Sequence, residues 1–560
     1  MNNSNSTHDG QSLYSRKRRE FLSLFGAAGA IGFAGCIGGD DDNGATGGNG
    51  NGDDNVFNFG LGTGPDTLDL HAAGRVPEMV ILDAVHDPLF RMNMETEPVP
   101  HIAEGYEESE DMTEFTFQLR DNITFHDGTE LDGDIAVWNF ERFIEQGGRF
   151  TYRLGDPDIE ATGEYEVTMT FDSPQPFLIN NLTTWGMGFV SRDAVEDAGD
   201  EYGVETVVGT GPFEFEEWVD GDYIRVTRYD DYNWGPEFSG NQGPANLDVI
   251  EFNIIPETTT LTQELLGGYI DGTKYVELAD SEQVINHEDV EFHENSYPYA
   301  AWFPLNIERE PTDDIRVRQA INHAIDRDAI IEAALGGHAT PIWGLAPHTS
   351  VDGLSEDRAQ EIGYEYDLER ARELLDEAGW TNSSEGEIRE KDGESLEFEM
   401  LAFDLPQWAP QGEVAQALLA EVGIDVSLAT VEGGTFYDRA ENQEYHSVTA
   451  GVGAEFANNT VMRLLHSDSV ATEGGTNYSM IQDDDLDELI EIANSEPDDE
   501  IRNDALQEAQ EFAIEEALHV PIMTTNRVYA HKTHVSGVEN FVDHNWFPEQ
   551  YYLHHLNVDM

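Results

Sequence analysis

Hydrophobic and polar residues change their spacing along this chain, and the change separates two kinds of architecture. Phe115, Phe117 and Leu119 alternate with polar neighbours, and Ile123 and Phe125 continue the alternation up to Asp127-Gly128. Successive strand side chains point to opposite faces, so this spacing reads as a hairpin with one buried face. Tyr165, Val167, Met169 and Phe171 alternate again, as do Ile224 and Val226, whereas Ala136, Phe140 and Phe143 follow helical spacing. The second half is more helical. Residues 313–335 set Ile321, Ala324, Ile325, Ala329 and Ile330 on one side, and Gly336-Gly337 closes the run. The stretch 366–380 has Asp367 as a helix cap. It aligns Leu368, Ala371, Leu374, Leu375 and Ala378, and stops at Gly379. Helical segments at 413–422 and 501–519 interleave with short strands at 396–402 and 424–430. The pattern predicts an α+β first half and an α/β second half.

Before residue 56 the spacing has neither period. Arg18 and Arg19 precede Phe21 and Leu22, and a Gly/Ala-rich apolar run extends to Ala34. Residues 1–35 read as a twin-arginine export signal, its apolar run too short and glycine-rich to span a membrane comfortably. Ala34-Gly35 then precede Cys36, the chain's one cysteine. This resembles a lipobox, in which the cysteine is lipidated, although Phe33 departs from the usual aliphatic residue. Residues 36–55 are dominated by Gly, Asp and Asn and predict a flexible linker. The expected location is the outer face of the cytoplasmic membrane, with a lipid as tether. A single cysteine permits no intramolecular disulfide and no cysteine-based zinc site.

Charge narrows the setting. With 28 Lys+Arg against 113 Asp+Glu, the formal net charge is −85, and Lys17, Lys274, Lys391 and Lys532 are the only lysines. Self-repulsion of this size weakens a compact state at low ionic strength, but molar salt shortens the screening length to about 3 Å. Acid excess with scarce lysine resembles haloarchaeal proteins. The same sign argues against nucleic-acid binding, which needs clustered Lys/Arg.

Several segments carry a family resemblance: PHIAEGYEESEDMTEFTFQLRDNITFHDGTELDGDIAVWNFER (100–142), VGTGPFEFEEW (208–218) with VTRYDDYNWG (226–235), DDIRVRQAINHAIDRDAIIEAALGGHATPIWGLAP (313–347) and YDLERARELLDEAGW (366–380). DTLDLH (66–71) and HDPLFR (86–91) match its opening, and 415–426 and 501–522 follow in the same order. Together they resemble family 5 extracellular solute-binding proteins, the dipeptide-, oligopeptide- and nickel-binding group of ABC importers. The resemblance implies an α/β fold with an α+β portion. It would be a two-lobed, type II periplasmic-binding-protein-like fold with an extra domain on the first lobe. Lobe I would comprise 56–98, 206–300 and 520–560, the extra domain 99–205, and lobe II 301–519. The chain would cross between lobes near 297–306 and 521–527, where hinge closure would occur. The implied partners are a peptide or other small-molecule ligand and membrane permease subunits. No cofactor, metal or catalytic residue is expected.

Candidate binding residues follow from the same source. In TAGVGAEFANN (449–459), Glu455 stands where peptide-binding members have an Asp that grips the amino group. Val452 stands where a cleft Trp is often found, and Thr449 near a carboxylate-gripping Arg. Lys274, followed by Tyr275, lies in a segment whose family counterpart leads into the cleft. Trp302, Asn306, Trp343 and Trp408 are further candidates for the lining. Other motifs are bland. His126-Asp127-Gly128 reads as a turn rather than a metal pair. Gly209-Thr210-Gly211-Pro212 reads as a tight turn before a strand, because it lacks the lysine and following helix of a phosphate loop. Sequons at Asn122, Asn181, Asn382, Asn458 and Asn477 permit glycosylation. A secreted hydrolase using an acid pair is the alternative class.

Overall fold

Alternating segments become paired strands wherever one face is buried. The computed structural model describes residues 55–148, 150–276, 281–382, 384, 386–405, 408–538 and 553–558. The leader and the linker, with Arg18, Arg19 and Cys36, lie outside the described residues except for Asn55. In chain order the principal strands begin with β1 (Val56–Leu61), β2 (Ala103–Glu108), β3 (Glu114–Leu119), β4 (Asp158–Gly163) and β5 (Glu166–Thr170). Next come β6 (Phe213–Val219), β7 (Tyr223–Arg228), β8 (Val249–Ile254), β9 (Gly272–Thr273), β10 (Val290–Pro304) and β11 (Ala339–Pro341). The set ends with β12 (Glu397–Phe403), β13 (Asp425–Val431), β14 (Ser447–Val448), β15 (Ala450–Gly453) and β16 (His519–Lys532).

A nine-stranded sheet runs β15-β10-β16-β9-β1-β8-β7-β6, with β11 also paired to β16. β1 is parallel to both neighbours. Its Phe57, Phe59 and Leu61 are fully buried in one core with residues of the helix Val76–Val85. A second core is separate from it. There the parallel strands β13-β12-β14 are covered by the helices Ile315–Ala324, Leu368–Glu377 and Ala409–Glu421. A third core lies between the sheet β2-β3-β5-β4 and the helix Gly133–Gln146, and includes Tyr229, Tyr232 and Trp234 from beyond β7. The fold is mixed α/β and two-lobed. The long strands β10 and β16 run side by side through it.

Two expectations need correction. The helix expected over 313–335 is two helices, Ile315–Ala324 and Arg327–Leu335. Ile325 is extended, and Asp326 starts the second helix by accepting a hydrogen bond from the Ala329 amide. A good cap inside an apolar run resets the helix without breaking the buried face. The expected hairpin through Phe125 is also smaller. β3 pairs with β2 and β5, while Asp127-Gly128 closes only a local bridge between Thr124 and Glu130. Gly128 has φ +82°, and Asp127 accepts the Thr129 amide. Two of the sequons are closed to modification in the fold, since Asn458 and Asn477 are buried.

The first-half blocks that carry the resemblance converge on one buried polar cluster. Asp87 Oδ1 lies 2.8 Å from Arg91 Nη2 and 2.8 Å from His101 Nε2, while Oδ2 accepts from Trp234 Nε1 at 3.1 Å. Thr210 Oγ1 accepts the Asp87 amide, and the Gly211 amide donates to Val85 O. The 86–91, 126–128, 208–212 and 232–235 motifs therefore do structural work at the seam between the first and third cores.

Candidate ligand-binding cavity

A cavity of about 470 Å³ opens beside the first core, between it and residues 453–463. Its walls come from the start of the helix Val76–Val85, from the turns around Phe150–Arg153 and Thr183–Trp185, and from Tyr297 and residues 453–463. Ligand pockets commonly measure about 300–1,000 Å³ and combine apolar walls with a few placed polar groups. The apolar part here is Met79, Met92, Phe150, Trp185 and Phe456.

Backbone irregularity brings the polar groups in. β10 pairs with β16 in register up to Ser296–Asn526 and resumes at Ala300–Thr524. Three residues of β10 therefore face one of β16, a bulge of the kind that redirects side chains near sites. Pro298 O accepts the Ala454 amide at 2.6 Å, which ties the bulge to the loop carrying Glu455. Tyr297 then reaches Glu455, its hydroxyl donating to Oε1 at 3.2 Å. Glu455 sits just before the helix Ala457–Leu465, which carries Arg463 on a later turn.

Across the cavity, Arg153 Nη2 lies 3.6 Å from Glu455 Oε2, and both side chains are largely buried. Arg153 Nη1 donates to Thr184 Oγ1 at 3.1 Å, and its guanidinium lies over the rings of Phe150, Tyr152 and Phe456. Burial opposes its charge, but Tyr152 and Glu455 beside it raise its pKa above the ordinary arginine value. Arg75 is paired with Asp66 at 2.6 Å. Arg463, half-buried, has no ion-pair partner among the described residues. The lining thus holds Arg75, Arg153 and Arg463 against Glu455 alone. In a chain of net charge −85 this local cationic excess is the reverse of the background.

Of the seven candidate binding residues, the structure brings only Glu455 to this cavity. Trp302 is fully buried and donates Nε1 to Leu345 O at 2.9 Å, the usual way a core indole satisfies its one donor. Trp408 is a residue of the second core, against Gly451. Trp343 packs on the Arg327 guanidinium. Asn306 is buried and accepts the Glu308 amide. Tyr275 covers the Gly62 backbone, with the Lys274 ammonium 5.9 Å from its ring. Arg153 and Arg463 were missed by sequence reasoning. One signal was available: an arginine set among aromatic residues, as in FTYR (150–153), in a chain poor in basic residues.

Among the described residues no helix is long and apolar enough to cross a membrane. The chain is similar to a glutathione-binding protein of Shigella flexneri, with 24% identity over 473 residues covering 84% of this chain and 89% of that one. It is similar to a dipeptide-binding protein of Escherichia coli at 28% identity over 466 residues, covering 76% and 82%. In fold it resembles the protein NikA of Brucella suis, solved with Fe(III)-EDTA, with a TM-score of 0.77 at 24% identity over 90% of this chain and 100% of that one. The profile of bacterial extracellular solute-binding proteins, family 5 (middle region), matches residues 97–471. The chain therefore belongs to the family 5 extracellular solute-binding proteins, the solute-capture components of ABC importers.

Proposed function

We propose that this protein captures a short peptide, or a peptide-like compound with an amino group and at least one carboxylate, and presents it to an ABC permease. The observation that carries this reading is the pairing of Glu455 with cationic neighbours in one cavity. Glu455 is the ligand's amino-group partner. Its contact with Arg153 is loose at 3.6 Å, so an ammonium can compete for the carboxylate. Arg463 takes the ligand's carboxylate. The relatives named for glutathione and dipeptide binding support this class. Contacts from both lobes stabilise a closed state that an open state cannot match. The division into lobe I (56–98, 206–300, 520–560), extra domain (99–205) and lobe II (301–519), hinged near 297–306 and 521–527, is part of the proposal. So are the twin-arginine leader, lipid attachment at Cys36 and a saline, haloarchaeal-type milieu, supported by the leader and by the charge.

Calorimetry in molar salt tests the clamp, with glutathione and a dipeptide panel as probes, each with a free or an acetylated amino group. A hydrogen bond to a charged group is worth about 1.5–3 kcal/mol, so Glu455→Gln weakens binding by about tenfold or more. Acetylation costs wild type a similar factor and the variant little, because both remove the same contact. Arg463→Gln weakens free carboxylates more than C-terminal amides. Equal affinity for free and acetylated probes in wild type, or no binding of any probe, overturns the peptide reading. Retained sensitivity to the carboxylate alone would favour an organic anion, consistent with the arginine-rich lining.

A further inference from the structure

We infer a transition-metal site outside the cavity, formed by Glu291 and His293 of β10 with His531 of β16. The strand register puts these residues together. Glu291 lies directly opposite His531 in the antiparallel pair, and His293 is two residues further along β10. Cross-strand partners share a face, and so do residues two apart on one strand, so all three side chains project from the same side of the sheet. His293 Nε2 and His531 Nε2 are 2.9 Å apart. Glu291 Oε2 lies 4.0 Å from the first and 3.8 Å from the second. None of the three residues lines the cavity.

A second observation points to a ligand. His531 is buried, and its Nδ1 lies 3.0 Å from Lys532 O. A carbonyl oxygen only accepts, so the His531 proton sits on Nδ1 and the Nε2 lone pair is aimed at His293 and Glu291. Metal-binding histidines are oriented in this way, by a hydrogen bond from the far ring nitrogen that fixes the tautomer. The two imidazoles are also held nearly parallel, with centroids 5.1 Å apart and planes 7° from each other. Without a metal, one proton shared between the two Nε2 atoms accounts for their short separation. A metal ion takes the place of that proton.

The donor set selects the metal class. Two imidazole nitrogens and one carboxylate suit Zn²⁺, Ni²⁺ or Cu²⁺, whereas Mg²⁺ and Ca²⁺ prefer oxygen ligands. Metal–nitrogen bonds to zinc measure about 2.0–2.1 Å, which places two tetrahedral nitrogens roughly 3.3 Å apart. The imidazoles need to part by only a few tenths of an ångström. Glu291, with a side chain 55% exposed, must swing in by less than about one ångström from its present distances. Water completes the shell on the open side. The site would clip β10 to β16 beside the first core. Sequence reading had no access to it, because His293 and His531 are 238 residues apart and only the strand register joins them.

The test is titration of Zn²⁺ into the full chain, first dialysed against a chelator, in molar salt with excess Mg²⁺ to occupy surface carboxylates. One zinc is expected to bind per chain and to raise the melting temperature, as any ligand specific to the folded state does. His293→Gln and Glu291→Gln sit at exposed or half-exposed positions and preserve the fold, which circular dichroism checks. His293→Gln weakens zinc by at least tenfold and abolishes the thermal shift, while His348→Gln, at a surface histidine, changes neither. Cu²⁺ bound to wild type shows electron-paramagnetic splitting from two imidazole nitrogens, and from one in His293→Gln. Zinc binding of unchanged strength in His293→Gln, or no saturable binding above the magnesium background in wild type, overturns the site.

Discussion

Asp87 has no solvent contact, yet it remains ionised. Burial alone would raise its carboxyl pKa. The attraction of His101 and Arg91 outweighs burial and holds the carboxyl well below the usual carboxylate range. Burial also lowers the His101 pKa, so at neutral pH the lasting counter-charge is Arg91. Because the folded carboxyl is depressed, its contribution is complete above the unfolded carboxylate pKa and fades as pH falls through the folded one. Asp87→Asn keeps the shape but removes the hydrogen-bonded counter-ion of the buried Arg91 guanidinium and leaves only the charge of Asp83 to balance it, which costs up to about 3–5 kcal/mol. Denaturant unfolding of both proteins in molar salt measures the difference. A loss below about 1 kcal/mol would show that the seam is held by shape and neutral hydrogen bonds instead. The cavity shows the opposite limit of legibility. Glu455, singled out for its position in a matching segment, lines the cavity. The tryptophan candidates were not legible, because an indole fills a core or lines a cavity equally well until its Nε1 partner is known. Arg153 meets Glu455 only in three dimensions, from a segment about 300 residues away along the chain.

At the scale of elements, local signals decided what was readable. Asp367 and Gly379 bounded their helix as expected, and β12 and β13 appear within one residue of the strands read at 396–402 and 424–430. The reset at Asp326 was hidden inside an apolar run, since helical spacing continues across it. The bulge at 297–299 is marked in the sequence only by Pro298, and its register is defined by the partner strand. Gly209-Thr210-Gly211-Pro212 was legible as a turn, but its constraint is spatial. A Cβ on Gly211 would lie 2.6 Å from Val85 C and 2.7 Å from both Ala84 O and His86 N. These are backbone atoms at the end of the helix Val76–Val85, and they cannot rotate away. Gly211→Ala should destabilise by about 1–3 kcal/mol through overpacking. Gly105→Ala, where a Cβ meets nothing within 4 Å, is the control. Thermal melts in molar salt separate the two variants, and equal melting temperatures would mean that the helix end yields to the added methyl.

At the scale of the molecule, the cores are largely apolar, so the electrostatic problem of folding lies at the surface. The chain carries 113 acidic residues against 28 lysines and arginines, so even complete pairing would leave most carboxylates without a cation. Several arginines are shared among acids, as Arg225 is by Glu216, Glu217 and Glu251. Exposed pairs of this kind contribute at most about 1 kcal/mol and weaken in salt, so they cannot offset the summed repulsion. Screening can. The Debye length falls from about 10 Å at 0.1 M to about 3 Å at 1 M, shorter than most spacings between surface charges. Stability should therefore rise with salt, against the usual loss of surface ion pairs. We expect the melting temperature to fall steadily as salt is diluted from the molar range, with cooperative structure lost in dilute buffer. Circular dichroism melts across a salt series measure this, and magnesium at equal ionic strength adds a test of specific cation binding. Ligand affinity should follow a different curve. Glu455 and Arg153 are largely buried, so ions screen them less than the surface. Above the salt level needed for folding, glutathione or dipeptide affinity should change little while the melting temperature still climbs. A native melt that persists unchanged in dilute buffer would overturn the saline-milieu reading and require the carboxylates to be neutralised by some other means.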